Sequence, residues 1–234
     1  MAYIFEPEVL RDIVRMHMHL PIESQFPAVT QTLREVYGEH VSLGERWMWS
    51  NAGGIMCAIS PLHVSFNEYL LFCGTAIGSE GHSGRHRADI YDAVMAGDLW
   101  TYQAGSFERH QYKAGDLACL RRGTANGSKL KAGAWLLEYA RGNVPSLFPF
   151  ALGDTLFSTL DTTDLLGQLG ISTRLMTKEA LLWLKQRRLG TPFVPNLSAV
   201  GAPVPQLSEP EAKRPKSESG KVPKRKPNGR AQTS

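Results

Sequence analysis

HVSFNEYLLFCGTAIGSEGHSGRHRADIYD, residues 63–92, is the stretch on which the reading of the fold turns. Its first run, Glu68 to Cys73, is short, apolar and aromatic, and Gly74 closes it, as expected of a strand buried on both faces. A loop with Gly74, Gly78, Gly81 and Gly84 follows. The second run, Asp89 to Met95, alternates. Side chains on a strand repeat every two residues, so Ile90, Asp92 and Val94 share one face and Tyr91, Ala93 and Met95 the other. If the first face points inward, Asp92 is a carboxyl among aliphatic neighbours, and it must find a partner or keep its proton.

Ala134 to Ala140 offers a second acid in the same setting. Leu136, Glu138 and Ala140 share a face opposite Trp135, Leu137 and Tyr139. Two acids on internal strands can share a proton in one apolar cavity, with their pKa values driven apart. Pattern alone leaves the other arrangement open, with both acids on solvated faces or edge strands.

Working outward, the short runs continue on both sides. Trp47–Trp49, Ile55–Ile59, Tyr69–Cys73, Ile90–Met95, Leu99–Gln103, His110–Tyr112, Leu117–Leu120 and Ala134–Ala140 read as strands with turn signals between them. Such a series predicts a sandwich or a closed barrel. Two helices precede it. Phe5 to Met18 carries Val9, Leu10, Ile13 and Val14 at helical spacing, with Pro7 in the first turn, and Ala28 to Tyr37 carries Val29, Leu33, Val36 and Tyr37, with Gly38 as the stop. Two more are expected after the strands, from Thr155 to Leu169 and from Thr173 to about Arg188. The class is α+β. Its parts are an N-terminal helical segment over 1–44, a β-barrel ligand-binding domain over 45–142, and C-terminal helices over 143–190. A basic, Pro-rich tail over 191–234 is expected to be disordered.

The chain has 234 residues, 42% of them apolar, enough for one sizeable core. Its formal charge of +4 is uneven. From Thr191 onward there are 8 basic against 3 acidic residues, and the rest has 18 against 19. The folded part is near neutral, which argues against nucleic acid as its partner. Cys57, Cys73 and Cys119 lie far apart in apolar runs and read as buried free thiols, not a disulfide framework or a zinc site. His82 and His86 sit in the glycine loop without a third ligand at convincing spacing, so no metal site is expected, and His63 is expected to make a structural hydrogen bond. No Gly-x-Ser-x-Gly elbow and no phosphate loop is present.

Several blocks together carry a resemblance: Asn51-Ala-Gly-Gly54, Leu62-His63, Glu68-Tyr69, Gly74-Thr75-Ala76, Gly81-His-Ser-Gly84, Glu138-Tyr139 with Arg141-Gly142, Pro145, and Asp154-Thr155 with Phe157-Ser-Thr159. From about Tyr3 to about Gly190 the chain resembles the family of sterol Δ8–Δ7 (C-8) isomerases and the sigma-1 receptor. The resemblance implies a cupin-like β-barrel whose mouth is covered by two C-terminal helices. These also form an apolar face against a membrane, and their basic end with Trp183 suits an interfacial position. It implies a buried pair in which Glu138 binds the ligand and Asp92 hydrogen-bonds Glu138. The activity implied is isomerisation of a sterol double bond in sterol biosynthesis; binding of amines or sterols without turnover is the alternative. The ligand implied is a sterol or an amine on an apolar scaffold, with no cofactor, and the assembly implied is a homotrimer.

Tyr69 is expected to orient the acid pair. Trp47, Ile55, Ile59 and Leu71 are candidates for the apolar wall, or else ordinary core. Cys73, Leu130 and Ser172 stand where the receptor branch has aromatic residues, so the pocket differs from the receptor's there. Relatives carry a membrane-spanning helix ahead of the Tyr3-Ile-Phe5 segment, and this chain has no apolar run of roughly 18 residues. Peripheral attachment to the endoplasmic reticulum membrane is therefore expected. A third possibility for function, an interaction module with a vestigial cavity, sits poorly with an intact acid pair.

Overall fold

A computed structural model describes residues 3–201. Helix α1, Pro7–His17, starts at a proline whose missing N–H is harmless in the first turn. It buries Val9, Leu10, Ile13 and Val14 on one stripe. Helix α2, Ile22–Tyr37, begins six residues before the expected start and runs through Pro27. The sequence reading stopped at that proline; the side chain before it explains the difference. Phe26 packs its ring against Trp47, Phe72 and Trp135, with centroids 5.0, 5.0 and 5.4 Å away. That aromatic burial offsets the backbone hydrogen bond lost at Pro27.

Ten strands follow: β1 Met48–Ala52, β2 Ile55–Val64, β3 Glu68–Thr75, β4 Ser79–His82, β5 Ala88–Ala96, β6 Asp98–Tyr102, β7 His110–Lys113, β8 Leu117–Leu120, β9 Gly127–Leu130 and β10 Ala134–Gly142. They form a six-stranded sheet, β1-β2-β3-β10-β5-β8, and a four-stranded sheet, β4-β9-β6-β7, antiparallel throughout. The expectation of helices flanking a run of short antiparallel strands holds. Two strands were missed. The glycine-rich stretch, read as a loop, contains β4. It is there because the β1–β2 turn crosses it: the His82 N–H donates to the Gly53 carbonyl at 2.8 Å, and any Cβ on Gly81 would strike the Gly53 carbonyl. Strand β9, Gly-Ser-Lys-Leu, lacks the apolar content that marks a strand in sequence. Pro61 lies within β2, and the register shifts between Pro61 and His63, as a proline in a paired strand requires.

The six-stranded sheet is buried on both sides. Leu70, Phe72, Tyr91, Ala93, Met95, Leu137 and Tyr139 join the core under α1 and α2. Their alternate neighbours Leu71, Cys73, Ile90, Asp92, Leu136 and Glu138 face a cavity. The strand faces are those the alternation predicts. Burial of an apolar residue on the helix side removes roughly 2 kcal/mol worth of side chain from water at each fully enclosed position.

After β10 comes a short helix, α3 Phe148–Asp154, then one wide turn, Thr155–Thr159. Helix α4 then runs unbroken from Thr162 to Leu189. This corrects the expected pair of helices, 155–169 and 173–188. Asp161 caps α4 by accepting from the Asp164 N–H at 3.1 Å, and Gly190 ends it in the left-handed region at φ +66°. Gly167 and Gly170 do not break it, because side chains along the helix, between and beyond the glycines, are fastened to other parts of the fold. Gln168 donates to the Trp49 carbonyl at 2.8 Å, and Glu179 bonds His40 Nδ1 at 2.8 Å. Residues 191–201 are also folded, which corrects the start of the expected disordered tail. Phe193, Leu197, Ala199 and Val200 pack on the helix-side core, and the Asn196 N–H donates to the Val36 carbonyl. The rest of that tail, with its basic clusters, lies outside the described residues.

Candidate functional site

Both sheets and the C-terminal helices enclose a cavity of about 240 Å³. Asp92 on β5 and Glu138 on β10 are direct cross-strand partners, so the pairing register itself sets the two carboxyls side by side. Tyr69 on β3 comes from the other neighbour of β10 and donates its hydroxyl to Glu138 Oε1 at 2.6 Å. Three adjacent strands thus supply one cluster.

The surroundings are apolar, with Ile55, Ile59, Leu71 and Leu136 lining the cavity from the same sheet and Leu99 and Leu130 from the four-stranded sheet. Burial raises the Asp92 pKa well above the ordinary carboxylate range, and the neighbouring Glu138 raises it further. Burial raises Glu138 as well, while the hydrogen bond from Tyr69 opposes that shift. Oδ1 of Asp92 is buried and receives no donor among the described residues. The pair is therefore unequal. Tyr69 donates to Glu138, which favours charge there, while Asp92 Oδ1 has no donor among the described residues.

Of the expected wall residues, Ile55, Ile59, Leu71, Cys73 and Leu130 line the cavity, as does Ser172 on α4. Trp47 does not. Its ring sits on the opposite side of the sheet, stacked at 6.4 Å on Phe72 and edge-on to Trp135 at 5.5 Å. It is core and surface, 42% exposed, and its assignment to the wall is withdrawn.

His63 makes the expected structural bond, through Nδ1 to the His40 carbonyl at 2.8 Å. Burial pushes its pKa down to about 4. His82 Nδ1 accepts from the Gly84 N–H at 2.9 Å, and His86 Nε2 meets the Ser83 carbonyl at 2.8 Å. Both are therefore used within the loop. Among the described residues, no three His, Cys, Asp or Glu side chains are placed to hold a metal ion.

Three features were not anticipated. Glu68 is buried and anchors the N-terminus: its carboxylate accepts from the N–H groups of Ile4 (2.9 Å) and Phe5 (3.3 Å) and from the Tyr139 hydroxyl (2.7 Å). An acid opening an apolar run was the available signal. Cys57 joins Cys73 in the wall, with sulfurs 3.1 Å apart. The third is a polar strip, Thr101, Asn126 and Ser128, on the four-stranded sheet. Period two put Thr101 on the face of Leu99, so that position was legible, but nothing marked the face as lining a cavity.

A profile of the family described as "ERG2 and Sigma1 receptor like protein" matches residues 1–184. The chain is 38% identical to the sigma non-opioid intracellular receptor 1 of Gallus gallus over 180 residues, which is 76% of this chain and 81% of that protein. It is 36% identical to the C-8 sterol isomerase erg2 of Aspergillus fumigatus over 190 residues, 80% of this chain and 78% of that one. To the C-8 sterol isomerase of Pyricularia oryzae it is 46% identical over 123 residues, 53% and 56% of the two chains. Among solved structures, an RmlC-like cupin from Shewanella frigidimarina is similar over 44% of this chain and 91% of that one, at 21% identity and a TM-score of 0.37. The chain belongs to the ERG2 and Sigma1 receptor like protein family.

Proposed function

We propose that the cavity is the active site of a sterol Δ8 to Δ7 double-bond isomerase. The observation that carries this is the register of β5 and β10, which sets Asp92 opposite Glu138 in an apolar enclosure. Asp92 delivers its proton to C9 of the Δ8 alkene, and a carbocation develops at C8. Glu138, ionised and held by Tyr69, stabilises that cation where few other dipoles compete. A proton then leaves C7 for the carboxylate pair, and the Δ7 alkene remains. One proton enters and one leaves, so neither step calls on a cofactor. An unpaired Asp92 Oδ1 supports the assignment, since a proton shared between the two carboxyls would satisfy it.

The same charge logic fits an amine on an apolar scaffold, whose ammonium mimics the cation. Amine binding without turnover is thus the second reading, and relatives in the family bear both kinds of name. We further propose that the protein meets the membrane of the endoplasmic reticulum through its C-terminal helices. Phe157, Leu160, Leu166, Leu181 and Leu184 stand exposed there, and Trp183 lies beside Arg187 at 5.2 Å. Among the described residues no helix is long and apolar enough to cross a bilayer.

The test is direct incubation of the purified protein in liposomes with a Δ8 sterol, with products resolved by gas chromatography. Accumulation of the Δ7 sterol supports the isomerase. Unchanged sterol together with saturable amine binding that Glu138→Gln abolishes selects the non-catalytic reading.

A further inference from the structure

The acid pair handles a double bond or a cation; it does not explain the other wall of the cavity. On the four-stranded sheet, β6 and β9 pair Leu99 with Leu130 and Thr101 with Ser128, and all four side chains line the cavity. The wall therefore changes character within one rung, about 7 Å along the strands. An apolar pair gives way to a pair of hydroxyls. Asn126, just before β9, extends the polar strip along the cavity.

These groups are not used by the fold. Thr101 is 8% exposed, yet among the described residues neither its hydroxyl nor that of Ser128 enters a side-chain hydrogen bond, and Asn126 Oδ1 is buried without a partner. Of the buried hydroxyl residues elsewhere, Thr30 donates to the Phe26 carbonyl and Ser60 to the Glu45 carbonyl, while Thr155 Oγ1, which does not line the cavity, also has no partner among the described residues. Buried polar groups left idle cost free energy unless something arrives to pair them. A cross-strand Thr–Ser pair facing inward, with an amide beside it, offers donors and acceptors to one small polar group on an otherwise apolar ligand.

We propose that Thr101 and Ser128, with Asn126, form a subsite for a free hydroxyl on the ligand. This rests on the reading of the cavity as a sterol site and deepens it by assigning the residues that hold the hydroxyl and so orient the molecule. The hydroxyl lies on the Thr101–Ser128 rung, the hydrocarbon lies over Leu99 and Leu130, and the reacting carbons meet Asp92 and Glu138 on the other sheet. The rung sets which way round the molecule enters, and so which of its bonds reaches the acids. Thr101 and Ser128 are specificity residues; they take no part in proton transfer.

The experiment uses a matched pair of azasteroids, alike except that one carries the ring-A hydroxyl and the other is deoxy, titrated calorimetrically into the full chain. Their ammonium engages Glu138 whether or not the protein turns over sterol, so failure of the isomerase reading leaves this test intact. The wild-type protein should favour the hydroxylated amine by about tenfold, the worth of one or two well-made hydrogen bonds. In Thr101→Val with Ser128→Ala that preference should fall to within about twofold, with the deoxy amine bound as before. Binding of the deoxy amine reports folding, so a misfolded variant is recognised; Ser128→Ala alone, a smaller change, should then show a partial loss of preference. An equal affinity of the wild-type protein for both amines, or an undiminished preference in the variants, would overturn the subsite.

Discussion

Tyr69 and Glu68 are neighbours in the chain with opposite duties. Tyr69 points into the cavity and donates to Glu138, while Glu68 is buried and ties down Ile4 and Phe5. Replacing Tyr69 by Phe removes the one interaction that lowers the Glu138 pKa, so that pKa should rise. Amine binding, which needs Glu138 ionised, should then set in at higher pH than in the wild-type protein, with affinity at neutral pH down about tenfold. Titrating amine affinity against pH checks the sign. Glu68→Ala leaves the N–H groups of Ile4 and Phe5 without their acceptor and takes from the Tyr139 hydroxyl the nearer of its two acceptors, the Phe5 carbonyl remaining at 3.1 Å, and should cost about 3 kcal/mol in chemical denaturation. The faces of Asp92 and Glu138 were legible because alternation is a local signal, whereas their pairing was implied only by the family resemblance. The roles of Glu68 and Trp47 were not, because an acid and a tryptophan look alike in sequence whichever layer of the molecule they enter.

At the scale of elements, α4 is held to the sheet by polar groups more than by a greasy stripe. Leu175 is its one buried apolar residue, beside buried Gln168 and Glu179. Glu179 Oε2 bonds His40 Nδ1 at 2.8 Å, and Oε1 lies 3.5 Å from His63. Glu179→Ala should therefore destabilise the protein by about 2 kcal/mol and loosen α4 first. Hydrogen exchange should quicken in 172–186 while the amides of α1 keep their protection. Uniform acceleration in both helices would argue against a local tether. This also explains why the continuity of α4 was hidden in the sequence. Glycines at 167 and 170 weigh against a helix locally, whereas the contacts that override them come from residues over a hundred positions away. Strands β4 and β9 were lost for the same reason, being held by pairing and not by composition.

Across the whole molecule, the six-stranded sheet works as a partition, with helix-side core on one face and the cavity on the other. Class and strand faces could be read from periodicity. The order β3-β10-β5 that juxtaposes Asp92, Glu138 and Tyr69 could not, since it joins strands distant in the chain. Placing acids in such a cavity makes stability depend on pH. The folded-state pKa of Asp92 is raised, so its contribution is fully present below the ordinary carboxylate pKa of about 4 and is lost as pH rises through the folded value. Asp92→Asn cannot ionise. Its melting temperature relative to the wild-type protein should therefore improve steadily from pH 5 to pH 9, while activity is lost. A constant difference across that range would mean that Asp92 is ionised throughout. The central claim is that this pair moves the proton, and it is tested most directly in deuterated water. After incubation with a Δ8 sterol, mass spectrometry should find a Δ7 product carrying one solvent deuterium at C9, and none from Asp92→Asn or Glu138→Gln. A Δ7 product without deuterium, or one formed equally by either variant, would contradict it.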